Sequence, residues 1–279
     1  FREEHLADGT VKKNIVYDDF LTPMGIKNIP FKQYDIREQR PDITFYSQPY
    51  ESATILEFHP EYMTKYTRTV YLPYFEATTM NADYSTAFEH FFQFFSQKYS
   101  WRIPCQSEMM KKYYEQYGSR KGENVVVTGL PKWDRPISLS RENTPMPKEW
   151  KKKLSGRTVF LWNTHFETDV SGSQFFTQKT AKFIERFVTD DRIALIWRPH
   201  PMFETCIKTY DGAEAWEYYV NLRNIFEKSK NLVFDDSPTY DNAFVWSDAL
   251  ISDYSSLIAQ YQLMHKPIVM LINKPMDQA

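Results

Sequence analysis

Four short polar clusters in the second half of this chain carry the side chains best suited to handling a phosphate ester. They are Asn163-Thr164-His165-Phe166, Arg198-Pro199-His200-Pro201, Asp235-Asp236-Ser237-Pro238-Thr239 and Ser252-Asp253-Tyr254-Ser255-Ser256. A guanidinium such as that of Arg198 grips a phosphate with two parallel hydrogen bonds, and an imidazole such as that of His200 accepts a hydroxyl proton or donates to a phosphoryl oxygen. Pro199 and Pro201 stiffen the turn that carries the pair. His165 is either a second site imidazole or a residue bounding an interdomain cleft. In the last cluster, the apolar strand 249–251 gives way to a helix expected over 254–264, on which Leu257, Ile258, Tyr261 and Met264 share one face. Asp253 or Ser255 would cap that helix. Its N–H groups and positive dipole end, with the hydroxyls of Ser255 and Ser256, would make an anion site without a glycine loop. The same residues would equally serve as an ordinary cap closing a strand-to-helix turn.

The clusters gain weight from the elements that must position them. From residue 158 onward, short apolar strands at 158–162, 193–197, 231–234, 249–251 and 267–271 alternate with helical periodicity at 174–188, 213–229, 240–246 and 254–264. That rhythm predicts an α/β domain with a parallel sheet wrapped by helices. In open sheets of this kind ligands bind outside the carboxyl ends of the strands, where all four clusters fall. Upstream, strands are expected at 42–47, 68–72, 99–103 and 124–127, and helices at 84–97, with Phe88, Phe91, Phe92 and Phe95 on its apolar face, and at 106–117. The first forty residues are polar and carry no clear element. The Gly-Pro turn 128–134 presents Lys132 and Asp134 at a strand end. A Pro- and charge-rich stretch then suggests a division into an N-terminal Rossmann-like domain over 1–140, a linker over 141–156 and a C-terminal Rossmann-like domain over 157–279. The chain opens at Phe1 and stops soon after a strand, so a piece of a longer protein is expected, with its N-terminal domain incomplete.

Composition narrows the chemistry. With 279 residues, 42% of them hydrophobic and a net charge of −2, the chain has ample core material and no global basic field that would favour nucleic acid. The lysines at 148, 151, 152 and 153 with Arg157 form a local cluster, read as a solvated linker face or as an attraction to an anionic membrane or polymer. Cys105 and Cys206 form no CxxC pair, which fits a reduced, cytoplasmic setting without a zinc site. No apolar run approaches the ~20 residues of a membrane span. Dinucleotide, P-loop, zinc-protease and nucleophile-elbow motifs are all absent, and Gly totals only 8.

Taken in order, Thr-Gly-Leu-Pro-Lys-Trp-Asp (128–134), Leu-Trp-Asn-Thr-His-Phe (161–166), Arg-Pro-His-Pro (198–201), Ile-Ser-Asp-Tyr-Ser-Ser (251–256) and Lys-Pro-Ile-Val-Met (266–270) resemble the CDP-glycerol glycerophosphotransferase family, the teichoic acid primases and polymerases. The resemblance implies a GT-B-like architecture, two Rossmann-like domains facing a cleft, with the nucleotide held mainly by the C-terminal one. It implies transfer of glycerol phosphate, or a related polyol phosphate, from a CDP-activated donor to an acceptor hydroxyl in teichoic acid or capsule-type polymer synthesis. The acceptor would be a polyol-phosphate polymer or a lipid-linked chain at the inner membrane face, met by peripheral contact. Carried over by motif, Ser255 and Ser256 hold the diphosphate with Asp253 and Tyr254, Arg198 and His200 meet the transferring phosphoryl group, Asp134 approaches from the opposing domain, and Asn163, His165 and Thr239 line the nucleotide side. No cofactor or metal is implied, since positive donors can neutralise the charge developing on the leaving phosphate.

One departure stands out. Polymerases of this family carry Trp-His-Gly-Thr after an N-terminal strand, whereas the corresponding stretch here reads Val70-Tyr71-Leu72-Pro73-Tyr74-Phe75-Glu76, without a histidine. Either His200 serves as base, or Glu76 or Tyr74 substitutes, or donor and acceptor differ. Two other readings stay open: a nucleotide-sugar glycosyltransferase or epimerase on the same fold, and a nucleotide-binding module without catalysis.

Overall fold

The computed structural model describes residues 2–5, 11–14, 21–27, 29–51, 54–74, 89–165, 178–253 and 255–271. One five-stranded and two two-stranded parallel sheets organise them, the α/β class expected from the alternation of elements and the GT-B-like class implied by the family resemblance. The strands are β1 (Arg2–His5), β2 (Val11–Asn14), β3 (Ile43–Tyr46), β4 (Arg68–Tyr71), β5 (Ile103–Cys105), β6 (Val125–Val127), β7 (Thr158–Asn163), β8 (Ile193–Trp197), β9 (Leu232–Phe234), β10 (Ala249–Ser252) and β11 (Ile268–Met270). The helices used below are α1 (Glu108–Tyr117), α2 (Lys148–Leu154), α3 (Gln178–Thr189), α4 (Gly212–Lys228), α5 (Asp241–Trp246) and α6 (Leu257–Gln262).

The larger sheet runs β11-β10-β7-β8-β9, all parallel. Its central strands read as continuous apolar runs because both faces are covered. Along β7 and β8, Leu161, Ala194 and Ile196 face one core with Trp150, Leu154, Phe244, Ile258 and Tyr261, while Trp162, Leu195 and Trp197 face the other with Ile184, Phe187, Tyr219 and Phe226. Thus α3 and α4 cover one face, and α2, α5 and α6 the other. The chain winds outward from β7 to β9, then returns across β7 to form β10, which creates a switch point between β7 and β10.

Two lysines hold helix ends against this sheet. Lys153 Nζ donates to the carbonyls of Phe226, Glu227 and Leu232 at 2.8, 3.1 and 2.8 Å, closing the C-terminus of α4. Lys266 Nζ does the same for α5, donating to Phe244, Val245 and Ser247 at 2.6, 3.0 and 2.6 Å, and burial pulls its ammonium down to about 8. The stretch 141–156, expected as a linker, is therefore packed: Trp150 and Leu154 enter the core, Lys153 caps a helix, and Trp246 Nε1 donates to Thr144 O at 3.0 Å. Of the basic cluster, Lys148, Lys151 and Lys152 remain exposed.

In the N-terminal half, β3 pairs with β4, β5 with β6, and a bridge between Val70 and Arg102 joins the two pairs in one parallel direction. Phe92, Ile103, Met110, Tyr114 and Val125 form their core. The helix expected over 84–97 differs. Residues 84–88 lie outside the described residues, Phe91–Phe94 is not helical, and the helix is Phe95–Tyr99, with Phe95 exposed. The buried Gln97 explains the break: its Oε1 accepts from Phe94 N at 3.1 Å and its Nε2 donates to Phe91 O at 2.6 Å, stopping the backbone just before the new helix. An antiparallel hairpin, β1–β2, occupies part of the polar leader, with Glu3 opposite Lys13 and Glu4 opposite Lys12. Its four-residue strands offer too few positions for the period-2 apolar pattern that marks a strand in sequence.

Candidate active site at the carboxyl edge of the larger sheet

Register alone brings the four polar clusters level. Trp162 pairs with Trp197, Trp197 with Phe234, and Asn163 with Ser252, so the residues that follow each strand emerge side by side. The β7–β8 ladder continues past the strand ends: Arg198 N donates to Trp162 O and His200 N to Thr164 O, each at 2.9 Å. Asn163, 2% exposed, ties three strand tips together, donating from Nδ2 to Arg198 O at 2.8 Å and accepting from Ser252 Oγ at 3.4 Å. Trp197 Nε1 donates to Thr164 Oγ1 at 3.2 Å. Across the switch point, the buried Asp253 carboxylate accepts from His165 N at 3.0 and 3.3 Å, so the β10 loop orients the β7 loop.

These bonds hold two imidazoles together at the edge. The rings of His165 and His200 lie 5.8 Å apart, centroid to centroid. His200 Nδ1 accepts from Met202 N at 3.1 Å, which places the proton of the neutral ring on Nε2. Burial, with the neighbouring His165 second, pulls the His200 imidazole down to about 4. At neutral pH this ring is therefore an uncharged hydrogen-bond donor.

Arg198 keeps different company from that expected. Its Nη1 donates to Asp235 Oδ2 at 2.8 Å and to Ser237 Oγ at 3.2 Å, and its Nη2 to Ser237 O at 2.9 Å. The side chains of the pair are 11% and 1% exposed. Sequence reasoning marked the Asp235–Thr239 stretch as site-lining but missed this ion pair. No local pattern marks it: the pair forms because Arg198 and Asp235 each follow directly on paired residues of neighbouring strands.

The remaining candidates are placed as follows. The last helix starts at Leu257 rather than 254, with Ser256 at its N-cap and no side-chain cap bond, so neither Asp253 nor Ser255 takes the expected cap position, although Ser255 Oγ accepts from Leu257 N at 3.2 Å. The shorter helix reflects the use of Asp253 as a loop bridge. Ser255 is buried and Ser256 exposed, and Tyr254 lies outside the described residues, as does Glu76. Thr239 is exposed, and its carbonyl accepts from Ser237 Oγ at 2.9 Å. Asp134 is exposed at the start of the short helix Asp134–Ser138, and the next residue, Arg135, forms an ion pair with Asp241 of α5. That contact brings the 128–138 segment against the larger sheet's helices. Among the described residues no three His, Cys, Asp or Glu side chains are grouped to hold a metal ion, and no helix is long and apolar enough to cross a membrane.

Comparison with known proteins accords with this geometry. The chain is 27% identical over 162 residues to the teichoic acid ribitol-phosphate polymerase TarK of Staphylococcus aureus, and 25% identical over the same length to TarL of that organism. The matches cover 56% of this chain but only 28% and 26% of those longer proteins. In fold, a UDP-GlcNAc 2-epimerase from Methanocaldococcus jannaschii superposes with a TM-score of 0.53 at 12% identity, over 92% of this chain and 73% of its own. The family model described as CDP-Glycerol:Poly(glycerophosphate) glycerophosphotransferase matches residues 46–274, and with all four strand-end clusters inside that span, the chain belongs to this family.

Proposed function

We propose that this chain binds a CDP-polyol, CDP-glycerol or a close relative, along the carboxyl edge of the larger sheet and transfers its polyol phosphate to an acceptor hydroxyl. The observation that carries the reading is the convergence of four strand-end loops across the β7/β10 switch point, inside the family-matched segment. In this scheme the Nε2–H of His200 donates to a phosphoryl oxygen, where charge builds as the CMP leaving group departs. His165, held by Asp253, flanks it, and Ser255 and Ser256 approach the diphosphate. Asp134 approaches from the N-terminal unit, for which we keep the boundaries 1–140 and 157–279 on either side of the packed 141–156 stretch. The acceptor is a polyol-phosphate polymer or lipid-linked chain in teichoic acid or capsule-type synthesis, reached by peripheral contact at the inner membrane face.

Thermal stabilisation by ligand tests the reading, because a compound that binds only the folded state raises its apparent stability. CDP-glycerol, CDP-ribitol and CMP should raise the unfolding temperature, and Ser255→Ala/Ser256→Ala should reduce the shift. Stabilisation by UDP- or GDP-sugars alone would point instead to a nucleotide-sugar enzyme on this fold.

A further inference from the structure

We propose that Arg198 is a positioning residue that latches the β9 loop, and that it acts on the nucleoside end of the site rather than gripping phosphate. The proposal rests on the nucleotide reading above. A phosphate ligand of this type needs its guanidinium fork turned to the ligand. Here three of the guanidinium's five N–H donors point into the loop: Nη1 with Asp235 Oδ2 and Ser237 Oγ, Nη2 with Ser237 O. Asp235 completes the knot through its other oxygen, which accepts from Ser237 N at 3.1 Å and Ser237 Oγ at 2.6 Å. Further on, Thr239 O shares the Ser237 hydroxyl hydrogen with Asp235, Tyr240 stacks on Phe244 at 4.2 Å, and Asp241 pairs with Arg135. The loop is thus pinned from β8 at its start and from the 134–138 helix at its end. Its exposed residues Asp236, Pro238 and Thr239 form a wall of defined shape beside the strand ends.

The chemistry predicts a distinctive ligand profile. If Arg198 works through the loop, its loss weakens cytidine, CMP and CDP alike, since all share the nucleoside. If it grips phosphate, the loss grows with each phosphate and vanishes for cytidine. Asp235 sharpens the contrast: Asp235→Asn loosens the loop under the first scheme, and releases a guanidinium that binds CDP more tightly under the second.

The test compares wild type with Arg198→Lys, Asp235→Asn and the milder Ser237→Ala, by calorimetric titration with cytidine, CMP and CDP and by amide hydrogen exchange without ligand. The expected result is roughly tenfold weaker binding of all three compounds in each variant. Exchange over 236–240 should quicken by at least about tenfold while β8 and β9 stay protected. A phosphate-graded loss in Arg198→Lys, tighter CDP binding in Asp235→Asn, or unchanged exchange of the loop overturns the latch. If wild type binds no cytidine compound, the nucleotide reading fails, and the exchange result alone then decides for or against the latch.

Discussion

Replacing His200 offers the sharpest check on the chemistry of the site. Its Nδ1 accepts the Met202 N–H at 3.1 Å, so the neutral ring carries its proton on Nε2 and has no lone pair there with which to take a hydroxyl proton. Glutamine keeps a donor at similar reach, whereas alanine removes it. In a transfer assay with CDP-glycerol, His200→Ala should lose about 10²–10³-fold in kcat, the usual cost of one preorganised donor at a developing oxyanion, and His200→Gln only about tenfold. Equal inactivity of the two variants would refute the donor role and restore the base. A second readout needs no substrate. The folded ring titrates at about 4 against 6.5 unfolded, so between these values the unfolded chain binds more protons, and stability falls as pH drops from 6.5 towards 4. The interval corresponds to about 3 kcal/mol at most and, for a half-buried ring screened by solvent, to roughly 2 kcal/mol. Urea midpoints at pH 7.0, 5.5 and 4.5 should show this loss in wild type and a flatter profile in His200→Gln. Parallel profiles would sink the assignment.

Lys153→Met keeps the aliphatic stem but strips three carbonyls of their donor, and should lower stability by about 2–3 kcal/mol in urea denaturation, whereas Lys152→Met on the exposed side of the same helix should change it by under about 0.5 kcal/mol. Asn163→Ala leaves Arg198 O and Ser252 Oγ without their shared partner. It should cost about 1–3 kcal/mol and weaken CMP binding without touching the ligand, as read by denaturation and titration together. Cys105 and Cys206 are 0% and 8% exposed, and burial pushes the Cys105 thiol up, so a bulky disulfide reagent should label neither until urea opens the chain. Stoichiometric labelling of the native protein would contradict the packing of both cores.

The alternation of apolar strands and amphipathic helices after residue 158 was legible because local periodicity carries it, and β8 matches the expected 193–197 residue for residue. The same pattern placed the four polar clusters after their strands, and their residue types led to the family. Sequence also misled locally: the phenylalanine spacing at 88–95 suggested one helix, but the buried amide of Gln97 bonds back to Phe94 N and Phe91 O and ends it, a competing local bond no apolar periodicity records. Which polar groups pair was likewise decided only in three dimensions. Arg198 was legible as a phosphate-type residue, yet the tertiary fold sets it beside Asp235, and a guanidinium removed from water is held best by a carboxylate already in place. Lys153 looked like one of five solvated charges until the packing of α2 aimed it at the end of α4. Sequence determined the order of elements and the chemistry available at the sheet edge. Tertiary structure decided the partners, because hydrogen bonds and ion pairs between residues 35 to 88 positions apart depend on strand register and helix docking, which no local pattern encodes.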